Sequence, residues 1–329
     1  MHFYCGDCGG KYPVEGLEYR CACGGYFQLY KMPGEEVNIT VSLGETETPV
    51  IERAIRGVKM LLKLDYMQPS GSFKDRGAYV LINALKGFGV SEVVEDSSGN
   101  AGAAIAAYCA AAGMKCAVYL PEATSEGKIK QMLAYGAEVK KIRGSRDDVA
   151  RAVLGAAKTV YYASHVYNPL FFEGTKSIAS EIIRQTGTPD YIVVPLGNGT
   201  MLLGVYLGFK EAGRLPKIIA VQSANCAPVF SEFHGFPAQP PAPTVAEGIA
   251  VGAPIRLREI IAAVKESGGD IITVEDSEVA FAKEQLSGQG IYIEPTSGAA
   301  PAGAIKYFAG KYTKDLNIVV PLTGSGLKK

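Results

Sequence analysis

The chain lacks a net charge. Lysine plus arginine number 33 and aspartate plus glutamate 33, so the formal charge is 0. A partner held mainly through phosphates, whether nucleic acid or an anionic membrane, calls for a basic excess, and neither is expected. No run approaches the roughly 18 consecutive apolar residues of a membrane span. The opening Met1-His2-Phe3-Tyr4-Cys5 has neither a basic start nor an apolar core, so no signal peptide is expected. Cysteines are few, at 5, 8, 21, 23, 109, 116 and 226, and odd in number, and only the first four cluster. That pattern speaks against a disulfide framework and for a reducing cytoplasm with one metal-binding group.

Glycine is abundant, at 39 of 329 residues, against a usual share of about 7%. These glycines are not periodic and lie among hydrophobic segments, which excludes collagen and disorder and favours backbone turns close to a ligand. An apolar share of 47% suffices for a sizeable core, and 329 residues suggest about two domains.

The amino-terminal segment reads apart from the rest. Cys5-Gly6-Asp7-Cys8 is followed after twelve residues by Cys21-Ala22-Cys23-Gly24-Gly25. Two close thiolate pairs on turns, joined by a short hairpin, can supply a tetrahedral four-sulfur zinc site, with the glycines letting backbone amides point at sulfur. The single residue within the second pair tightens that geometry. The alternative is a set of reduced cysteines without metal. With few basic residues the ribbon makes a poor nucleic-acid module.

From about residue 45, strands and helices alternate. Strands are expected at 58–64, 93–94, 116–120, 138–142, 191–194, 218–221, 271–274 and 318–320, and helices at 73–85, 101–112, 125–135 and 146–158. Short apolar runs of this kind are those of buried parallel strands. The order predicts two open, mostly parallel α/β domains. Ligands in such folds sit beyond the carboxyl ends of the strands, so the loops after strands are the places to look.

Four such loops hold glycine and small polar residues. In Gln68-Pro69-Ser70-Gly71-Ser72-Phe73-Lys74-Asp75-Arg76-Gly77, Lys74 falls in a first helical turn, where the helix dipole disfavours an ammonium and eases a free amine able to attack an aldehyde. The alternative is an exposed lysine. Asp96-Ser97-Ser98-Gly99-Asn100 could cradle a carboxylate at a helix start, or simply cap the helix. Gly197-Asn198-Gly199-Thr200-Met201 could gather amides on a phosphate. It lacks the third glycine of the dinucleotide fingerprint and the Gly-Lys-Ser/Thr ending of a P-loop, which leaves NAD and ATP poorly supported. Leu322-Thr323-Gly324-Ser325-Gly326 follows the last strand and offers the Thr323 hydroxyl. Together an amine, a phosphate cradle, an amide donor and a hydroxyl match what pyridoxal 5'-phosphate requires.

Ser72-Phe73-Lys74-Asp75-Arg76-Gly77, Ser98-Gly99-Asn100, Gly197-Asn198-Gly199, Glu294-Pro295-Thr296-Ser297 and Leu322-Thr323-Gly324-Ser325-Gly326-Leu327-Lys328, in this order, resemble the threonine synthase branch of the fold type II pyridoxal phosphate enzymes. The resemblance covers essentially the whole chain, the cysteine ribbon included. It implies a zinc-ribbon-like segment over 1–44, a large α/β domain from 45–84 and 176–329, and a small mobile α/β domain over 85–175 that closes over the site. It implies that Lys74 binds the cofactor covalently and shuttles protons, that Asn100 bonds the ring O3′, and that Ser97 and Ser98 hold the substrate carboxylate. Residues 197–201 would take the cofactor phosphate and Thr323 would face the ring nitrogen. Cys5, Cys8, Cys21 and Cys23 would hold structural zinc. The activity implied is that of a carbon–oxygen lyase acting on phosphates, turning O-phosphohomoserine and water into threonine and phosphate in a cytoplasmic homodimer.

The resemblance departs at Ala101, where threonine is frequent, at Ser325, where histidine is common, and most of all at one stretch. Where threonine synthases carry Asn-Ser-x-Asn-Pro-x-Arg around the substrate phosphate, this chain has His165-Val166-Tyr167-Asn168-Pro169-Leu170-Phe171. His165 remains a candidate to contact the substrate, or is a histidine packed at a strand end. Absence of the arginine leaves open a threonine or serine dehydratase-like eliminase, or a β-replacing synthase, on the same scaffold.

Overall fold

The computed structural model describes residues 1–124, 126–144 and 146–328. Ser125, at the edge of the helix expected over 125–135, Ser145, and Lys329, at the end of the expected large domain, lie outside the described residues. The chain divides into two compact units, Met1–Glu45 with Lys74–Gly174, and Thr46–Phe73 with Thr175–Lys329. The sequence reading set 1–44 apart and joined 74–84 to the larger domain; in the structure both segments pack with 85–174.

The first unit opens with the ribbon. Strands β1 (His2–Cys5), β2 (Lys11–Tyr12) and β3 (Phe27–Tyr30) form an antiparallel sheet in the order β2-β1-β3. Its apolar side chains Phe3, Val14 and Phe27 are buried in the same cluster as the helices of the unit, so the ribbon is docked. Next come α1 (Lys74–Gly87), β6 (Glu92–Glu95), α2 (Asn100–Ala112), β7 (Lys115–Pro121), α3 (Glu126–Ala134), β8 (Glu138–Ile142), α4 (Arg146–Ala156), β9 (Tyr161–Tyr162) and α5 (Pro169–Thr175). The four-stranded sheet runs β8-β7-β6-β9 and is parallel throughout.

Alternation along β6 assigns its two faces. Val93 belongs to the cluster built with Ala78, Leu81, Ile82 and Leu85 of α1 and Ala103 and Ala104 of α2. Val94 belongs to the opposite cluster, with Val149 and Val153 of α4. Glu95, two residues after Val93, therefore faces the α1–α2 side. The apolar stripe of α1 is what ties residues 74–84 to this unit.

The second unit begins with β4 (Val50–Ile55) and β5 (Val58–Lys63), a hairpin turning through Arg56 at φ 50° and Gly57 at φ 79°. Two successive left-handed residues are the type I′ turn, whose twist matches that of the strands. Then follow α6 (Ser177–Thr186), β10 (Tyr191–Pro195), α7 (Thr200–Glu211), β11 (Lys217–Ser223), α8 (Pro228–His234), α9 (Leu257–Glu266), β12 (Asp270–Val274), α10 (Asp276–Ser287), α11 (Pro295–Phe308) and β13 (Ile318–Pro321). The six-stranded sheet runs β12-β11-β10-β13-β5-β4, and only the edge strand β4 is antiparallel. Every strand anticipated from the sequence is present. β4 and the two-residue β9 were not anticipated, and of the ribbon only a short hairpin was, not its three strands.

The last residue of β5 is a wholly buried lysine. Lys63 Nζ donates to Glu181 Oε2 at 2.5 Å, to the Thr48 carbonyl at 2.6 Å and to Gln185 Oε1 at 2.9 Å. Thr48 Oγ1 in turn donates to the buried Asp65 at 2.8 Å. All three ammonium donors are used, as a charge removed from water requires. Among the described residues no helix is long and apolar enough to cross a membrane.

Candidate active site

In the first unit, Lys74 is the opening residue of the 14-residue helix α1, at the positive end of its dipole. Its Nζ lies 5.8 Å from the centroid of the Phe171 ring, whose π-face attracts a cation at that range. Phe171 is fully buried, and a Cβ on Gly77 would fall inside its ring, so the glycine makes room for the phenylalanine on α1. Position 171, which matches the arginine of the family pattern, is thus part of the core. Phe171→Arg would force a long charged side chain into that packing. Unfolding measurements should show a loss of at least about 3 kcal/mol; unchanged stability would mean that the position opens to solvent.

The loop after β6 brings Ser97, Ser98 and Asn100 to the head of α2. Gly99 is the N-cap and makes no side-chain capping bond; the Ser97 hydroxyl accepts the Gly99 amide at 3.3 Å. A capping serine or asparagine, the plainer expectation, is therefore not what the structure has. A Cβ on Gly102 would collide with the Ser97 carbonyl, which holds the turn against the helix.

His165 follows β9 in a pinned turn. Ala163 N donates to Val94 O at 2.9 Å, and Asn168 N to Ser164 O at 3.1 Å. The imidazole Nδ1 lies 2.8 Å from Glu95 Oε1, and its ring meets Phe171 edge-on at 6.0 Å between centroids. Glu95 is wholly buried, and its Oε2 has no hydrogen-bond partner among the described residues. Burial pushes this carboxyl well above the usual carboxylate range; Asp96 adds to the rise and Lys74 opposes it. Sequence reasoning missed Glu95. Its signal was an acid closing an apolar strand, Val93-Val94-Glu95, where a solvated face would not put one.

The second unit contributes two loops. After β10, Gly197-Asn198-Gly199 leads into α7, with Gly199 at φ 80° as an N-cap that makes no side-chain bond. A Cβ there would meet Ile260 Cδ1 at 2.5 Å, and one on Gly197 would meet Ile249 Cα at 3.0 Å. The glycines are required by the turn's own packing, and Thr200 and Met201 are buried in the first turn of the helix.

After β13, Thr323 is knitted into its surroundings through its backbone. Its N–H donates to Ser297 Oγ at 2.8 Å, and its carbonyl accepts from Phe73 N at 3.0 Å. Ser325 N donates to Gly71 O at 3.0 Å. These bonds explain why the 68–73, 294–297 and 322–326 motifs occur together. Yet Thr323 Oγ1 and Ser72 Oγ are buried with no hydrogen-bond partner among the described residues. Native structures seldom leave buried hydroxyls unmet unless a ligand or water takes them.

Cys5, Cys8, Cys21 and Cys23 come together, with all four Sγ atoms within 4.8 Å of one another and none in a disulfide. The pairs Cys5–Cys23 and Cys8–Cys21 are each 3.5 Å apart, close to the roughly 3.8 Å edge of a zinc–thiolate tetrahedron. Backbone amides of Gly10 and Gly25 point at Cys8 and Cys23. The Tyr12 hydroxyl, 3.1 Å from Cys21 Sγ, holds that thiol down to about 6. A Cβ on Gly25 would meet Cys5 Sγ at 2.6 Å, so the glycine lets the second turn close on the cluster.

Residues 41–324 match the model of a family described as pyridoxal-phosphate dependent enzyme. The chain is 32% identical to a threonine synthase of Methanocaldococcus jannaschii, over 98% of its own length and 92% of that protein's. It is 35% identical to a threonine synthase of a Bacillus species, over 90% and 87%. Among solved structures, the processed form of threonine deaminase isoform 2 from Solanum lycopersicum superposes with a TM-score of 0.77 at 25% identity, covering 85% of this chain and 79% of that one. Maize serine racemase superposes at 0.78 with 21% identity, covering 85% and 88%, a likeness of fold.

Proposed function

We propose, for a chain that belongs to the pyridoxal-phosphate dependent enzymes and within them to the threonine synthase branch, that it converts O-phosphohomoserine and water into threonine and phosphate. The observation that carries this reading is similarity to threonine synthases over nearly the full length of both partners. The buried, unpartnered hydroxyl of Thr323, an amine at the head of α1, and two helix heads without side-chain caps fit the cofactor's chemistry.

In this reading Lys74 holds the cofactor covalently, Asn100 donates to its ring oxygen, and Gly197, Asn198, Gly199, Thr200 and Met201 take its phosphate. Thr323 meets the ring nitrogen with a neutral hydroxyl, which does not keep that nitrogen protonated. When bound, the cofactor supplies an aldehyde for the substrate amine and a ring that draws electrons from the carbons beside it. Ser97 and Ser98 orient the substrate carboxylate. The Lys74 amine, freed by the incoming substrate, takes and returns protons at the substrate carbons. His165 faces the substrate's far end. The enzyme is a cytoplasmic homodimer.

The test is direct: inorganic phosphate and threonine should both appear from O-phosphohomoserine. A second reading, a threonine or serine dehydratase-like eliminase or a β-replacing synthase, is favoured by one observation, the burial of Phe171 where the pattern has an arginine. It predicts keto acid and ammonia from threonine or serine, or exchange of the β-substituent, with no phosphate released from O-phosphohomoserine.

The four cysteines hold one zinc ion in this reading, with a structural role. Cys5→Ser, or removal of metal with a chelator, is expected to lower the thermal midpoint while leaving turnover of the folded fraction within about twofold. Metal analysis finding no zinc in the native protein, or a large loss of turnover at unchanged stability, would overturn the assignment.

A further inference from the structure

The loop that follows β6 is short, and its own residues supply only part of what holds it. The Ser97 hydroxyl accepts the Gly99 amide, and the Ser97 carbonyl sits where a Cβ on Gly102 would be. Both contacts tie the loop to itself and to the head of α2. A third tether comes from the neighbouring strand. β6 and β9 pair in parallel with Val94 opposite Tyr162, and alternation puts Asp96, two residues on from Val94, on the same face as the tyrosine. There the Tyr162 hydroxyl donates to Asp96 Oδ1 at 2.8 Å, and Ser164 in the following turn also bonds that hydroxyl.

The ring behind the hydroxyl has little freedom. Tyr162 is buried in the cluster that holds Val94, Ala117, Val149 and Val153. Tyr19 from the ribbon meets it edge-on at 5.9 Å between centroids, Tyr167 lies at 6.0 Å, and Tyr19 meets Tyr167 edge-on at 5.0 Å. A ring locked by packing presents its polar tip in one place, which lets a buried tyrosine fix its partner. Burial pushes the hydroxyl well above the usual tyrosine range, with Asp96 and Glu95 adding to the rise, so it keeps its proton and stays a donor.

We propose that Tyr162 is a positioning residue that clamps Asp96 and so sets the loop conformation in which Ser97 and Ser98 meet the substrate carboxylate. This rests on the function proposed above and adds to that site a residue that acts through the loop. A hydroxyl donating to a carboxylate is among the stronger hydrogen bonds, and here it ties a connection to a packed strand. The benefit is to affinity, since a loop already in its binding conformation has less freedom to lose when the carboxylate arrives.

Tyr162→Phe removes the hydroxyl and leaves the ring. Holoenzyme is titrated with glycine, which brings a carboxylate and an amine but no group to expel, and the shift of the cofactor's absorption band should need about tenfold more glycine in the variant. KM for O-phosphohomoserine should rise by a similar factor while kcat stays within about twofold. Hydrogen exchange at the amides of residues 97–100 should quicken by about tenfold. A tyrosine with only a structural role would lower the thermal midpoint and move none of these. Asp96→Ala, on the half-buried partner, should do at least as much, and Tyr162→Phe should add nothing in that background, because the two act as one pair. Glycine affinity and loop exchange unchanged in Tyr162→Phe, or its full effect persisting in the Asp96→Ala background, would overturn the proposal. Weakened glycine binding and faster exchange in a protein that releases no phosphate from O-phosphohomoserine would keep the clamp and overturn the proposed reaction instead.

Discussion

Replacing Lys74 by alanine is expected to abolish covalent attachment of the cofactor and to reduce turnover by on the order of 10³-fold or more. Two losses combine. In the proposed chemistry the amine that joins the cofactor aldehyde is gone, and so is the group that carries protons to and from the substrate carbons, a role typically worth about 10²–10⁴ alone. Lys74 opens α1, and the helix behind it is anchored by Ala78, Leu81, Ile82 and Leu85, so the fold should survive the change. Borohydride reduction followed by peptide mapping should find a pyridoxyl group on the peptide containing Lys74 in the native protein and none in the variant. Activity retained within tenfold, or the adduct on another lysine, would remove the basis of the proposed chemistry.

Glu181→Ala is the substitution expected to cost most in stability. It leaves the Lys63 ammonium, wholly buried, bonded to the Thr48 carbonyl and the Gln185 side chain but without the Glu181 carboxylate. Breaking a buried pair from one side costs about 3–5 kcal/mol, because the remaining charge has lost both water and counter-ion. For a unit of this size that corresponds to a fall in thermal midpoint of roughly 6–20 °C. Lys63→Met combined with Glu181→Leu should recover most of the loss, since two apolar side chains of similar volume remove both charges together. A double variant no better than Glu181→Ala would place the cost in packing instead of charge. Neither residue belongs to the candidate site, so the cofactor adduct at Lys74 should persist in the folded fraction.

The strands of both sheets were legible because parallel strands buried on both faces read as short apolar runs, as in Ile192-Val193-Val194 and Ile218-Ile219-Ala220-Val221. β4 escaped notice because Val50-Ile51-Glu52-Arg53-Ala54-Ile55 sits at an edge, largely half-exposed, and follows no clean period. The hairpin turn gave no warning either, since Arg56 is an unusual residue at positive φ. The ribbon was read from cysteine spacing, and its sulfur atoms do converge, with the single residue between Cys21 and Cys23 accommodated by the close turn at Gly25.

Chemistry written into contiguous residues was decided by the sequence alone: an amine at a helix head, two glycine turns, a closing hydroxyl and a four-cysteine cluster, because each is a local pattern whose geometry follows from the few residues around it. What only the tertiary structure decided is which side chains from distant segments meet. Glu95 and His165 are 70 residues apart and touch because β6 and β9 are neighbours in one sheet. Phe171 became core instead of pocket lining because Gly77 on α1 leaves room for its ring. Lys63 became an interior charge because Glu181, 118 residues away, arrives on α6. Such pairings arise from chain topology, and topology brings together residues that no local pattern connects.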